Sequence, residues 1–191
     1  MKKIKQIVTI FATLALAVTA GLSFAGTKTK AAGSDEFTRT AIEIAADMGY
    51  GWNLGNTMEA TNTWTSNPKV TDFETAWGQP VTTKSMIDGI KKAGFNSIRI
   101  PVSWSNMMSS DGNYTIDASY FKRVDEIISY AFANDMYVII NDHYDGGWWE
   151  HFCGNKRDCM KHYKNMWTQV AGHYKDYSEK LIFESANEEL G

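Results

Sequence analysis

The chain of 191 residues is 43% hydrophobic and 13% aromatic and carries a formal net charge of −3. This is the makeup of a globular domain and excludes a disordered one, while the lack of a basic surplus argues against a nucleic-acid partner. Of the seven Trp, nine Tyr and nine Phe, most are expected in the core, and the rest can line a groove in which sugar rings stack their C–H faces on aromatic planes.

The chain opens with the basic segment Met1-Lys2-Lys3-Ile4-Lys5, followed by the apolar run Ile7–Leu22 and the small-x-small sequence Ser23-Phe24-Ala25. This is the layout of a secretory signal peptide, and the run is short for a membrane span. Residues 1–25 are therefore expected to be a signal, 26–37 a linker or mobile mature N-terminus, and the product to be extracellular, with no membrane attachment after cleavage. Export permits disulfides. Cys153 and Cys159 share one polar segment and are expected to be bridged, pinning a surface loop; their number and spacing do not suit a thiolate metal site.

From residue 38 onward, helix-like and strand-like stretches alternate. Thr38–Met48 reads as an amphipathic helix, and Gly51-Trp-Asn-Leu-Gly55 as a first strand. A polar loop, Asn56–Gln79, leads to Thr82 and Thr83, which can cap a helix over Lys84–Ala93. That helix places Met86, Ile87 and Ile90 on one face and ends at Gly94. A second strand, Phe95-Asn-Ser-Ile-Arg-Ile, is stopped by Pro101. Ala118–Asn134 is a helix with Phe121, Val124, Ile127, Ile128 and Ala131 as its apolar stripe. Met136–Asn141 is a third strand, apolar throughout, as when both faces are covered. After a loop from Asp142 to about Lys156, a helix aligns Tyr163, Met166, Trp167 and Val170, and Leu181–Glu184 is the fourth strand.

Strands alternating with helices predict a parallel sheet. Four such units make half of a (β/α)8 TIM barrel, which takes ~250 residues in all. The competing architecture is a doubly wound open sheet, but Asn53-Leu-Gly-Asn56 after the first strand lacks a Gly-rich phosphate turn.

The unusual polar residues all fall at strand C-terminal ends, where a barrel assembles its site. Arg99 lies between Ile98 and Ile100; a buried guanidinium needs a carboxylate, and its planar fork suits it to orient one. His143, in Asn141-Asp-His-Tyr-Asp145, is delivered to the same rim. Metal binding through His143, Asp145 and His151 is the rival reading, with spacing too loose to favour it. Gly146-Gly-Trp-Trp149 follows; with two glycines ahead of them, Trp148 and Trp149 are expected on a loop with at least one ring exposed as a sugar platform. Trp77 and Trp104 are further platform candidates, with core packing the alternative for each. Asn187-Glu188 closes the fourth strand. A general acid must hold a proton when substrate arrives, which burial or a nearby negative charge ensures; in retaining glycosidases that charge comes from a second carboxylate about 5–5.5 Å away, the nucleophile. Glu184 and Glu189 are read as solvated or structural.

Taken together, Gly51-Trp-Asn-Leu-Gly-Asn-Thr57, Glu74-Thr-Ala-Trp-Gly78, Gly94-Phe-Asn-Ser-Ile-Arg-Ile-Pro-Val-Ser-Trp104, Tyr137-Val-Ile-Ile-Asn-Asp-His143 and Leu181-Ile-Phe-Glu-Ser-Ala-Asn-Glu188 resemble successive blocks of a glycoside hydrolase family 5 cellulase, most closely subfamily 4. The resemblance spans residues 38–191. It implies a (β/α)8 barrel performing endo-acting, retaining hydrolysis of β-1,4-glucans, without a cofactor. It further implies that Glu188 is the acid/base, that Asn187 binds the sugar 2-hydroxyl, that Arg99 supports the nucleophile and that His143 lines the catalytic subsite. Many members carry a second His where Tyr144 stands; Tyr can also donate a hydrogen bond to sugar.

The family's nucleophile, a Glu on the seventh strand, has no counterpart in this sequence. The expectation is thus the N-terminal half of a secreted endo-β-1,4-glucanase that is inactive as 191 residues, with carbohydrate-binding or dockerin modules possible further downstream. A secreted, non-catalytic carbohydrate-binding half barrel using the Trp-rich rim is the alternative; a metal-dependent polysaccharide deacetylase is a remote third.

Overall fold

A computed structural model describes residues 39–63 and 65–188; the expected signal and linker at 1–37, like Glu189, lie outside the described residues. Four strands, β1 (Gly51–Asn53), β2 (Ser97–Ile100), β3 (Tyr137–His143) and β4 (Leu181–Asn187), form one sheet in the order β1-β2-β3-β4. Every neighbouring pair is parallel. Helix α1 (Ala41–Met48) precedes β1, α2 (Val70–Glu74) and α3 (Lys84–Lys92) precede β2, α4 (Ala118–Phe132) precedes β3, and α5 (Lys156–Tyr174) precedes β4. Strands in strict sequential order, each crossover carrying a helix, are the wall of a (β/α) barrel; a doubly wound sheet reverses its order at a switch point.

Three of the helices, α1, α3 and α4, start at a capping side chain. The Thr40 hydroxyl accepts from the Glu43 N–H at 3.3 Å while the Glu43 carboxylate accepts from the Thr40 N–H at 2.6 Å, a reciprocal capping box. Thr83 and Asp117 cap α3 and α4 without the reciprocal bond, each accepting a backbone N–H of the first turn. The expected stripe of α4 is buried, joined by Tyr120. It packs with Ile87 of α3 and with Met166 and Val170 of α5 against the outer face of the sheet, where Ile98, Ile100, Val138 and Ile140 are fully buried. The opposite, inner face is made by the alternate residues, among them Asn53, Arg99, Ile139 and Ile182, which share register across the four strands.

Three expectations are corrected. The segment 56–79, expected as a polar loop, contains α2 and a buried stretch, Thr57–Thr61. A five-residue helix is too short to show a periodic signal, and what holds it is a tertiary ion pair. Glu74, fully buried, accepts from Arg123 of α4 through Nε (2.9 Å) and Nη2 (2.7 Å) and from the Thr82 N–H (2.7 Å). Second, β3 and β4 run on to His143 and Asn187, past the apolar runs, because the polar residues at their ends continue the ladder. Third, Cys153 and Cys159 are free thiols, one exposed and one buried. Cys159 lies in the first turn of α5 with its Sγ 3.6 Å from the Trp148 carbonyl oxygen, while Cys153 stands ahead of the helix and faces solvent. No helix of the described residues is long and apolar enough to cross a membrane.

The Glu74–Arg123 pair generates a stability prediction. Arg123 keeps only 11% of its side chain exposed and would retain Glu126 and the Thr82 carbonyl as partners, so Glu74→Ala, which removes two of its hydrogen bonds and leaves the buried Thr82 N–H without its acceptor, is expected to cost about 1–3 kcal/mol, whereas Glu74→Gln, which retains an acceptor for Thr82, costs less. Urea denaturation midpoints of the two variants check this; equal midpoints would contradict it.

Candidate active site

The C-terminal ends of the four strands converge on Arg99. Its Nε and Nη2 donate to the two carboxylate oxygens of Glu184 at 2.7 and 2.6 Å, a bidentate pair. Nη2 also donates to Asn187 Oδ1 at 2.8 Å and Nη1 to Asn53 Oδ1 at 3.0 Å. One guanidinium on β2 thereby ties together β1 and β4. The Glu184 hydrogen bonds raise the Arg99 pKa above its ordinary value, and Arg99 in turn holds the Glu184 carboxyl below the usual carboxylate range. The sequence leaves Glu184 as solvated or structural; the structure makes it the counter-ion of Arg99.

A strand irregularity makes this arrangement possible. Asn141 of β3 pairs with Glu184, but His143 pairs with Asn187, so β4 spends one extra residue over the same span. In a regular strand, residues three apart face opposite sides. The extra residue lets Glu184 and Asn187 turn to the same side, and both reach Arg99 Nη2. A bulge leaves backbone groups outside the ladder, and here the Ser185 carbonyl is taken up by α5, accepting from Trp167 Nε1 at 3.0 Å and Tyr163 Oη at 3.4 Å.

His143 lies beside Asn187, with its Nε2 3.5 Å from Asn187 Nδ2. Its Nδ1 is 3.1 Å from Asn141 Nδ2, and Asn141 Nδ2 also reaches Glu184 Oε1 at 3.3 Å. Burial, then Arg99, pushes the His143 pKa down against the opposing charges of Glu59, Glu184 and Glu188, so the ring is neutral at neutral pH. Glu188 follows Asn187 with φ 54°, an exposed residue in the left-handed region, and its charge reaches both Arg99 and His143. For a residue with a Cβ, that conformation costs roughly 1–2 kcal/mol.

Among the aromatic candidates, two are corrected. Trp104 is fully buried: its indole donates to the Asn141 carbonyl at 2.9 Å and packs on Tyr120 and Phe121, so it is core and not a sugar platform. Trp148 has both faces covered, stacked on His162 at 4.1 Å and on Trp149 at 4.3 Å; two near-parallel rings cannot share one face at such distances. Its indole donates to Asp145 Oδ2 at 2.8 Å, and Asp145, also buried, accepts from the N–H and hydroxyl of Ser105 at 2.6 and 2.7 Å. His162, its pKa pushed down to about 4 by burial, completes the cluster through Ser105 Oγ at 3.0 Å.

This network holds four successive residues, Tyr144 to Gly147, at positive φ and leaves Tyr144 45% exposed. Trp149 keeps partial exposure beside Phe152 and Tyr163. Trp77, in the turn after α2, is 45% exposed.

The structure thus joins Arg99, His143 and Asn187 directly, and adds Asn53, Asn141 and Glu184. None of these three is singled out by the sequence: Asn53 falls within the expected first strand, and Asn141 and Glu184 end the expected third and fourth, where a polar residue is ordinary. No three His, Cys, Asp or Glu among the described residues group as a metal ion would require.

The Arg99–Glu184 pair predicts a pH signature. Because Arg99 lowers the Glu184 pKa from 4.5, the stability it contributes is present above the unfolded value and is lost as pH falls through the lower folded value. Glu184→Gln is expected to reduce stability at neutral pH and to flatten the loss between about pH 5 and pH 3; thermal melts across that range read it, and parallel curves for parent and variant would contradict it.

Comparison with known proteins agrees with this architecture. Residues 58–191 match the family model described as Cellulase (glycosyl hydrolase family 5). The chain is 44% identical over 181 residues to Endoglucanase A of Paenibacillus barcinonensis, with 92% of this chain and 44% of that protein aligned. A GH5-4 broad specificity endoglucanase from Ruminococcus champanellensis, solved with bound cellotriose, is similar at TM-score 0.73 and 43% identity over 78% of this chain and 43% of that one. Another GH5-4 broad specificity endoglucanase, from Clostridium longisporum, gives TM-score 0.71 and 44% identity over 78% and 43% of the two chains. The chain spans less than half the length of these relatives. By its matched residues and its parallel strands joined through helices, the chain belongs to glycosyl hydrolase family 5, the cellulases, and its described residues hold four parallel strands of that family's (β/α)8 barrel with the helices that connect them.

Proposed function

We propose that this chain forms the acid/base half of a secreted, endo-acting, retaining β-1,4-glucanase. The observation that carries the reading is the Asn187-Glu188 pair at the C-terminal end of β4, its amide held by Arg99. With Asn187 Oδ1 engaged by Arg99, the amide Nδ2 is left to donate to a sugar hydroxyl beside the scissile bond. Glu188, the next residue, protonates the departing glycosidic oxygen, and then takes a proton from the water that resolves the glycosyl-enzyme. The nucleophile is a carboxylate contributed from outside the four βα units.

His143 lines the subsite next to Asn187, and Tyr144 and Trp149, on the loop after β3, offer aromatic surface and a phenol to the chain of sugars. The endoglucanase names of the relatives, and the cellotriose bound to a structural neighbour, support a β-1,4-glucan backbone as substrate. The broad specificity stated for two neighbours keeps cellulose, mixed-linkage glucan and xyloglucan together as the substrate class. The basic, apolar and small-x-small N-terminal segment supports export.

In the enzyme carrying this chain, Glu188→Gln is expected to lower kcat on carboxymethyl cellulose by roughly 10²–10⁴-fold with KM little changed, read as reducing-sugar release. Parental turnover in that variant would overturn the assignment. Purified 1–191, lacking the nucleophile, is expected to release no reducing sugar; measurable release would overturn the requirement for a second carboxylate from outside it.

A further inference from the structure

Asn141 is fully buried in β3, two residues before His143. Its Oδ1 accepts from the Val102 backbone N–H at 3.2 Å, and its Nδ2 faces Glu184 Oε1 at 3.3 Å and His143 Nδ1 at 3.1 Å. Two of these partners leave the amide no choice of orientation. A backbone N–H can only donate and therefore takes the oxygen; an ionised carboxylate can only accept and therefore takes the nitrogen. With an N–H donor facing it, His143 Nδ1 is the acceptor of the ring, and the proton of the neutral imidazole sits on Nε2.

Nε2 faces Asn187 Nδ2 across 3.5 Å. The Asn187 amide is oriented by the same logic, since Arg99 Nη2, a donor only, takes its Oδ1 at 2.8 Å. Both facing atoms are then donors and cannot bond each other, so they converge on a place that an acceptor atom fills. With the proton on Nδ1 instead, Nε2 would accept from Asn187 and the two groups would satisfy each other, competing with substrate.

We propose that Asn141 is a positioning residue that fixes the His143 tautomer, so that the rim presents two adjacent N–H donors, His143 Nε2 and Asn187 Nδ2, to one oxygen of the sugar. The proposal rests on the glucanase reading for the identity of that oxygen's owner; the tautomer itself is independent of it. Hydrogen bonds to a sugar hydroxyl near the reacting carbon strengthen in the oxocarbenium-like transition state, and a pair of donors fixed before substrate arrives needs no reorganisation at that moment. The charged groups around the ring are Arg99, which disfavours a second proton, and Glu59, Glu184 and Glu188, which favour one.

The test is a 15N–1H correlation of the imidazole nitrogens in the histidine-labelled enzyme carrying this chain, with His143→Ala assigning the signal. At neutral pH the expected pattern for the parent is a protonated Nε2 and a bare Nδ1; the reverse pattern overturns the proposal without any variant. In Asn141→Asp, a carboxylate oxygen faces Nδ1 and is expected to draw a proton there, raising the pH at which His143 titrates. The expected fall in kcat/KM is about 10- to 100-fold, by analogy with the loss of hydrogen-bond partners that orient metal-bound histidines. An Asn141→Asp enzyme that is folded, keeps the parent's nitrogen pattern and keeps its kcat/KM overturns the proposal. A parent enzyme that shows the protonated Nε2 but cleaves no β-glucan contradicts the glucanase reading alone.

Discussion

The interaction on which the site depends is the ion pair between Arg99 and Glu184 in the inner face of the sheet. Placing a guanidinium inside an apolar strand is costly, and a half-buried pair of charges contributes little unless its remaining donors are used. Here four of the five N–H groups of Arg99 are committed among the described residues, two to Glu184 and one each to Asn187 and Asn53. Among the described residues this leaves one N–H, on Nη1, for a further acceptor. The larger role of Arg99 in this half of the barrel is to orient Asn187, which places an amide N–H beside Glu188.

That geometry draws on parts of the chain far apart in sequence. The extra residue in β4 turns Glu184 and Asn187 to the same side, and the aromatic face of α5 absorbs the carbonyl left outside the ladder, through Trp167 and Tyr163. On the neighbouring loop, Asp145 ties Ser105 to Trp148 while the stack of Tyr114, His162, Trp148 and Trp149 fills the space behind them. The strained left-handed run at Tyr144–Gly147 is held by those buried contacts, as strain at functional sites requires. Helix α5 thus supports both rims, one by indole hydrogen bonds and one by ring stacking.

Much of this was legible in the sequence. Apolar runs located all four strands, the first two bounded by Gly or Pro, and the cap at Thr83 located the start of α3. Arg99 was visible as a charge where the pattern called for an apolar residue. What stayed hidden depends on tertiary placement. Glu184, alternating with Phe183, was left between a solvated and a structural role, because nothing in Glu184-Ser-Ala-Asn187 announces the bulge that turns it to the same side as Asn187. Trp104 was misread because a loop tryptophan and a core tryptophan have the same local sequence; its burial comes from Tyr120 and Phe121 on α4, distant along the chain. Trp148 was misread for the same reason, its second face being covered by His162. Cys153 and Cys159 were close enough in sequence to suggest a bridge, but the start of α5 turns one thiol inward and leaves the other outside. Asn141 carried no signal at all, since an Asn ending a strand is ordinary until its three partners are known.

The central claim, that Arg99 acts on catalysis by orienting Asn187, is tested most directly by a double-mutant cycle on kcat/KM in the enzyme carrying this chain, using Arg99→Lys, Asn187→Ala and the pair. Lys keeps the charge but cannot hold Glu184 and Asn187 together with a planar fork. The account predicts that the two losses overlap, with a coupling of roughly 0.5–3 kcal/mol, because an Asn187 that has lost its orientation has little left to lose. Strictly additive losses would contradict it.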